Sequence, residues 1–272
     1  MDQFVDWNQM WKEAQELRRR SDDAGYWDKR APSFAKTAGT SPYARTFLER
    51  AKLVEGDTVF DMGCGSGTLA LPLARAGYEV YAADFSSVMI EIMMKRAVDE
   101  GIEQRIHTIN LSWDEDWDAR DLPICDVAFA SRSIATGDMQ RSLERLDSRA
   151  RRRVCVTFAA GESPREDEVL LEVMGRKRTF YPDYVFGMNI LWSMGILPDL
   201  SYIVSARDDE FESFDEAIEK TCTVSQASPE ERERLVAYAK EHLLLHEHDD
   251  GSQGWAFDHV RKTVWAFASW DK

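Results

Sequence analysis

Val59-Phe60-Asp61-Met62-Gly63-Cys64-Gly65-Ser66-Gly67 carries a hydrophobic run straight into three alternating glycines. Glycine has no Cβ, so it takes positive φ and lets main chain approach a bound molecule closely. Thr68-Leu69-Ala70-Leu71, with Leu73 and Ala74, then shows helical spacing. The stretch reads as strand, ligand-binding turn and helix.

The spacing separates two classes of nucleotide ligand. A dinucleotide fingerprint, G-x-G-x-x-G, counted from Gly63, needs its last glycine at position 68, where Thr68 stands; the glycines run G-x-G-x-G. Asp61 lies just before the loop, where a carboxylate repels a pyrophosphate but suits a ligand carrying an ammonium and a sulfonium. The next hydrophobic run, Val80-Tyr81-Ala82-Ala83, ends on Asp84, on the order of 20 residues past the loop and placed to accept from ribose hydroxyls.

With those residues, the chain resembles the class I S-adenosylmethionine-dependent methyltransferases. The match covers Phe60 to Gly67, Asp84-Phe85-Ser86 and, more loosely, the strands to about residue 158. The resemblance implies S-adenosylmethionine as cofactor and S-adenosylhomocysteine as product. It places Asp61, Gly63, Cys64, Gly65, Gly67, Asp84, Phe85, Ser86 and Met89 against the cofactor. After the third strand, Ser112 stands where the family usually has an aspartate for the adenine amino group; its hydroxyl can still accept, with Trp113 donating a backbone N–H or stacking on the purine. Ser131, after the fourth strand, is expected beside the cofactor. Ala130-Ser131-Arg132-Ser133 lacks the Asn/Asp-Pro-Pro-aromatic pattern of enzymes that methylate amino groups of nucleobases and glutamine, which argues against those acceptors.

The chain has 272 residues, 44% of them hydrophobic and 11% aromatic, enough for one sizeable α/β domain with added cap elements. No run approaches the roughly 20 apolar residues of a membrane span, and the acidic N-terminus has no signal-peptide pattern, so a cytoplasmic location is expected. The four cysteines show no C-x-x-C spacing and read as reduced thiols. A formal net charge of −15 opposes nucleic acid, since phosphate binding needs Lys and Arg. Arg18-Arg19-Arg20 and Arg149 with Arg151-Arg152-Arg153 qualify that; each is read as solvated cations at a helix end.

Alternation predicts strand 58–62, helix 67–76, strand 78–83, helix 87–100, strand 105–109, a helix or turn near 114–120, strand 124–130, helix 138–150 and strand 153–158. The runs at 202–204 and 264–268 supply two more strands. The expected fold is α/β: a doubly wound, mostly parallel seven-stranded sheet of Rossmann-like methyltransferase type, with ligands at the carboxyl ends of the strands. Residues 1–272 are read as a single domain, with a helical N-terminal cap over 1–45 and a helical insertion over 160–200 covering the substrate pocket. By resemblance, the last strand inserts antiparallel and Tyr26 or Arg30 meets the cofactor carboxylate. Residues 210–222 and 229–246 read as further helices.

On that second helix His242 and His246 stand four apart with His248 following, the one metal-like cluster; a solvated helix end is the preferred reading, and no metal is expected. Arg132 is read as a strand cap or carboxylate partner in preference to an anion receptor. No residue announces itself as a catalytic base; Tyr181, Tyr184, Asn189 and His259 are guesses. The leading expectation is methyl transfer to a small molecule. The alternatives are a protein or RNA acceptor docked on Arg149 to Arg153, or a cofactor-binding scaffold without turnover. The acceptor and the oligomeric state are not readable from these residues.

Overall fold

The computed structural model describes residues 5–18, 28, 42–161, 164, 166–176, 181–207, 209–248 and 250–272. In chain order the elements are α1 (Trp7–Arg18), α2 (Pro42–Ala51), β1 (Thr58–Met62), α3 (Ala70–Arg75), β2 (Glu79–Asp84), α4 (Ser87–Asp99), β3 (Ile106–Asn110), β4 (Cys125–Ala130), α5 (Met139–Ser148), β5 (Ala150–Ala159), α6 (Glu168–Val173), α7 (Asp183–Ser193), β6 (Asp199–Arg207), β7 (Glu210–Phe211), α8 (Phe214–Ser225), α9 (Pro229–His242), β8 (Leu243–Glu247), β9 (Gln253–Phe257) and β10 (Arg261–Asp271).

Seven strands form one sheet in the order β3-β2-β1-β4-β5-β10-β6. The five strands from β3 to β5 pair in parallel, which needs the intervening helices as crossovers. Buried-on-both-faces strands explain why Val59, Phe60, Val127, Ala128, Phe129, Val154 and Val156 read as continuous apolar runs; all are fully buried. The Ala160 amide donates to the Val264 carbonyl and the Lys272 amide to the Arg152 carbonyl, a descending register that makes β10 antiparallel to β5. Phe47 of α2 meets Phe129 and Phe267 edge-on, with ring centroids 5.0 and 5.1 Å apart, and so pins that helix to the middle of the sheet. Trp11 of α1 packs on Phe186 of α7 at 5.5 Å and donates its indole N–H to the Thr136 carbonyl at 2.7 Å.

The chain divides into two compact units. The first comprises residues 1–158, 184–203 and 266–272, and the second 159–183 and 204–265. The second has its own core, built from Leu170, Leu171, Met174, Ala217, Ile218, Leu235, Ala239 and Leu243. It also has its own antiparallel sheet, β7-β9-β8.

That small sheet corrects the sequence reading. Residues 210–211 are a strand before α8, and α9 stops at His242, after which Leu243 pairs with Phe257 and Glu247 with Gln253. Leu, His and Glu continue a helical pattern acceptably, so only the non-local partner β9 turns 243–247 into a strand. Arg151, Arg152 and Arg153 also lie within β5, not at a helix end; α5 stops at Ser148 because β5 begins at Ala150, earlier than the apolar run suggests.

Candidate active site

The carboxyl ends of β1, β2 and β4 bring the expected site residues together. Gly63, Gly65 and Gly67 all take positive φ, at 76°, 55° and 89°. A Cβ on Gly63 would stand 2.3 Å from the Ser133 Cβ, and one on Gly67 would stand 2.7 Å from Met93 Cγ, so these two glycines serve packing. A Cβ on Gly65 would meet nothing within 4 Å among the described residues. The Gly63 and Cys64 amides donate to the Ala83 carbonyl at 2.7 and 3.0 Å. The helical bonding begins from the Gly67 carbonyl, which accepts from Leu71, although Thr68 and Leu69 themselves remain in turns.

Asp84 accepts from the Gly65 amide at 2.8 Å and from the Ser86 amide at 2.9 Å. Ser86 caps α4, accepting from the Met89 amide at 3.1 Å, and its hydroxyl donates to Asp28 at 2.6 Å. The Phe85 carbonyl accepts from Asn110. Cys64 is buried and its thiol is pushed well above the ordinary range by desolvation, so it is an inert wall residue.

Asp61 is the unusual group. It is 1% exposed, and among the described residues neither carboxylate oxygen has a hydrogen-bond partner. Burial, then the charge of Asp84, push its pKa up to about 7, against the opposing pull of Arg132. The Gly63, Cys64, Gly65 and Gly67 amides are committed to Ala83, Asp84 and Cys64 and so do not serve Asp61.

Beyond β3, the Ser112 amide donates to Glu115 at 2.8 Å and the Ser112 hydroxyl accepts from Asp114 at 3.2 Å. Trp113 stacks on Trp117 at 5.3 Å, so one indole face is taken, and its buried indole N–H has no partner among the described residues. Beyond β4, the Ser131 hydroxyl pairs with the Tyr43 hydroxyl at 2.8 Å, which also meets Thr157 at 2.9 Å. Burial pushes the Tyr43 phenol up, keeping it neutral.

A family model described as a methyltransferase domain matches residues 59–153. An uncharacterized protein of Haemophilus influenzae is 34% identical over 179 residues, 65% of each chain. A 2-phytyl-1,4-naphtoquinone methyltransferase of Trichormus variabilis is 36% identical over 99 residues, covering 34% of this chain and 41% of that one. Residues 59–153 carry a methyltransferase domain of the class I S-adenosylmethionine-dependent kind. It spans less than two thirds of the length of these curated relatives. A Bacillus halodurans structure titled as a methyltransferase superposes with TM-score 0.52 at 12% identity, covering 83% of this chain and 97% of that one, a likeness of fold.

Two features fit the cofactor of this methyltransferase family: the partnerless Asp61 carboxylate suits an ammonium, and the open space above Gly65 is a cradle that a side chain would fill. Tyr26 and Arg30 lie outside the described residues, although their neighbour Asp28 does reach Ser86. Sequence reasoning passed over Tyr43, Thr157, Trp117 and Ser133, none of which carries a local signal.

The remaining candidates disperse. Asn189 donates to the Val185 carbonyl of its own helix, Tyr184 packs edge-on against Tyr202, and His259 pairs with Asp167 at 2.9 Å in the second unit. The shared helix face supposed for His242 and His246 does not exist, because His246 is on β8; His242 pairs with Asp258 and His248 with Glu210. No His, Cys, Asp and Glu cluster of metal-binding type occurs among the described residues. Arg151 pairs with Asp126, Arg152 with Asp57 and Arg153 with Asp271. No helix among them is long and apolar enough to cross a membrane.

Proposed function

We propose that the protein transfers the methyl group of S-adenosylmethionine to a small-molecule acceptor. The observation that carries this reading is Asp61, a buried carboxylate at the foot of the glycine loop whose two oxygens have no hydrogen-bond partner among the described residues. An isolated buried carboxylate is costly, and an ammonium on the ligand compensates it. In this reading Asp61 holds the cofactor amino group and the space over Gly65 admits the chain between sulfur and amino acid. Asp84 would take the ribose hydroxyls, and Ser112 and Trp113 the adenine, the partnerless indole N–H adding a donor.

Bound S-adenosylmethionine would supply an activated methyl on a sulfonium for in-line transfer to the acceptor nucleophile. The protein's own contribution is position: Gly63, Gly65 and Gly67 shape the cradle, and Asp61 and Asp84 anchor its two ends. No residue is assigned as a base.

A small acceptor is favoured over protein or RNA because, of the Arg149 to Arg153 docking surface of that alternative, Arg151, Arg152 and Arg153 pair with carboxylates of the same chain. The net charge of −15 points the same way. Among the relatives, the Trichormus protein is named for a quinone-type substrate, in keeping with a small acceptor.

Calorimetry tests the reading. S-adenosylhomocysteine is expected to bind with a dissociation constant on the order of micromolar and NAD not to bind. Binding of NAD with no response to either sulfur nucleotide overturns it.

A further inference from the structure

Three described residues other than glycine have positive φ: Lys52, Arg132 and Gln226. Lys52 follows the end of α2 and Gln226 the end of α8, where a left-handed residue closes the last turn of a helix. Arg132, at φ 60°, follows the strand β4, so no helix accounts for it. Its conformation is imposed by neighbours. The Arg132 amide donates to Thr157 Oγ1 at 2.9 Å, Thr157 Oγ1 also meets Tyr43, and the next residue, Ser133, donates its hydroxyl to the Met62 carbonyl at 2.7 Å beside Gly63. Strain of this kind persists where surrounding structure over-determines it, and it clusters at sites that hold ligands.

The side chain is equally specific. The guanidinium lies 4.4 Å from the centroid of the Tyr43 ring, which the Ser131 and Thr157 hydroxyls lock in place. Arg132 is exposed, and among the described residues its guanidinium has no ion pair or hydrogen bond. Other arginines of the sheet, Arg151 to Arg153, are all paired with carboxylates in a chain that has 49 acidic residues to choose from. Arg132 lies near enough to Asp61 for its positive charge to oppose the upward shift of that carboxylate. Arg132 therefore stands at the carboxyl edge of β4, held over the Tyr43 ring, with its planar fork of donors unused among the described residues.

We propose that Arg132 binds an anionic group, a carboxylate or phosphate, on the methyl acceptor. This rests on the methyltransferase reading of the site. A planar fork matches either anion with two parallel hydrogen bonds, and the Tyr43 ring beneath it fixes the plane of approach. The same fork reading a carboxylate on the cofactor itself is the competing outcome, and the experiment separates the two.

The protein is saturated with S-adenosylhomocysteine and screened by thermal shift and calorimetry against small carboxylates and phosphate monoesters, each beside its neutral amide or alcohol. Anionic members are expected to bind at least about tenfold tighter than their neutral counterparts. Arg132→Gln removes that preference, and Arg132→Lys keeps part of it. Arg132→Asn, a residue type that tolerates left-handed backbone, repeats the loss should Arg132→Gln fold poorly. Throughout, affinity for S-adenosylhomocysteine stays within about threefold.

The proposal is overturned if no anion stabilises the complex, if neutral counterparts bind equally, or if the folded variants keep the preference. It is also overturned if they lose S-adenosylhomocysteine but not 5′-methylthioadenosine, which lacks the amino-acid end; Arg132 then serves the cofactor. Failure of the wild-type protein to bind S-adenosylhomocysteine overturns the methyltransferase reading instead.

Discussion

Asp84 accepts a 2.8 Å hydrogen bond from the Gly65 amide, so the carboxylate that ends β2 sets the position of the middle glycine of the β1 loop. Its other oxygen takes the Ser86 amide, whose residue caps α4. One side chain thus couples loop, strand and helix.

Asp84→Asn leaves an amide group that accepts from one of those N–H groups and faces the other with a donor. A buried N–H without a partner costs about 1–3 kcal/mol. Chemical denaturation is expected to show a loss of that size, together with at least tenfold weaker S-adenosylhomocysteine binding by calorimetry. Weaker binding at unchanged stability would mean that Asp84 acts on the ligand alone.

Asp61 makes a pH prediction with an uncommon sign. Its folded pKa is raised from the ordinary 3.8 to about 7, so between those values the folded protein binds more protons than the unfolded chain. The ligand-free protein therefore loses stability from this group as pH rises from about 4 to 7, by up to roughly 4 kcal/mol. Asp61→Asn, neutral at every pH, is expected to melt higher than wild type at pH 8 and to converge with it near pH 4. It also loses cofactor affinity. Wild-type affinity for S-adenosylhomocysteine falls below about pH 7, as the proton competes with the ammonium for Asp61. Equal melting of the two proteins at pH 8 contradicts the uncompensated charge.

Gly65→Ala and Gly63→Ala separate ligand space from packing. At Gly65 only the left-handed backbone is penalised, by about 1–2 kcal/mol, because a Cβ meets no atom of the described residues within 4 Å. The variant is expected to fold and to lose cofactor binding, since the methyl enters the cradle. At Gly63 the Cβ collides with Ser133, so stability falls further, and adding Ser133→Gly recovers part of it. Melting curves beside calorimetry distinguish the pair; intact binding by Gly65→Ala would remove the cradle from the site.

Gly187 of α7 sits against the Phe158 ring, where a Cβ would stand 2.5 Å from the nearest ring carbon. Gly187→Ala forces α7 away from the end of β5, with an overpacking cost of about 1–3 kcal/mol. If α7 helps to bound the acceptor pocket, turnover of an identified acceptor drops while S-adenosylhomocysteine affinity stays within about threefold. Unchanged turnover at reduced stability would make α7 a purely structural cover.

What the sequence by itself determined is whatever depends on neighbours along the chain. Alternating glycines after Val59-Phe60-Asp61-Met62 specify a positive-φ loop wherever they fold, and Asp84 ending the next apolar run specifies a carboxylate at the adjacent strand end. The strand and helix succession then leaves few sheet topologies. Tertiary structure alone decided the rest. Leu243 to Glu247 became a strand because Gln253 to Phe257 folded back onto it, which separated His242 from His246. Tyr43 reached Ser131 and Thr157 across 88 and 114 residues of chain, and the Tyr43 ring came to lie under Arg132. The lack of any partner for Asp61 is also a tertiary fact, since its cost depends on which donors the folded backbone turns toward Ala83 and Asp84. Backbone conformation is specified over a few residues, but desolvation and charge are summed over everything that packs around an atom, and that sum exists only in the folded chain.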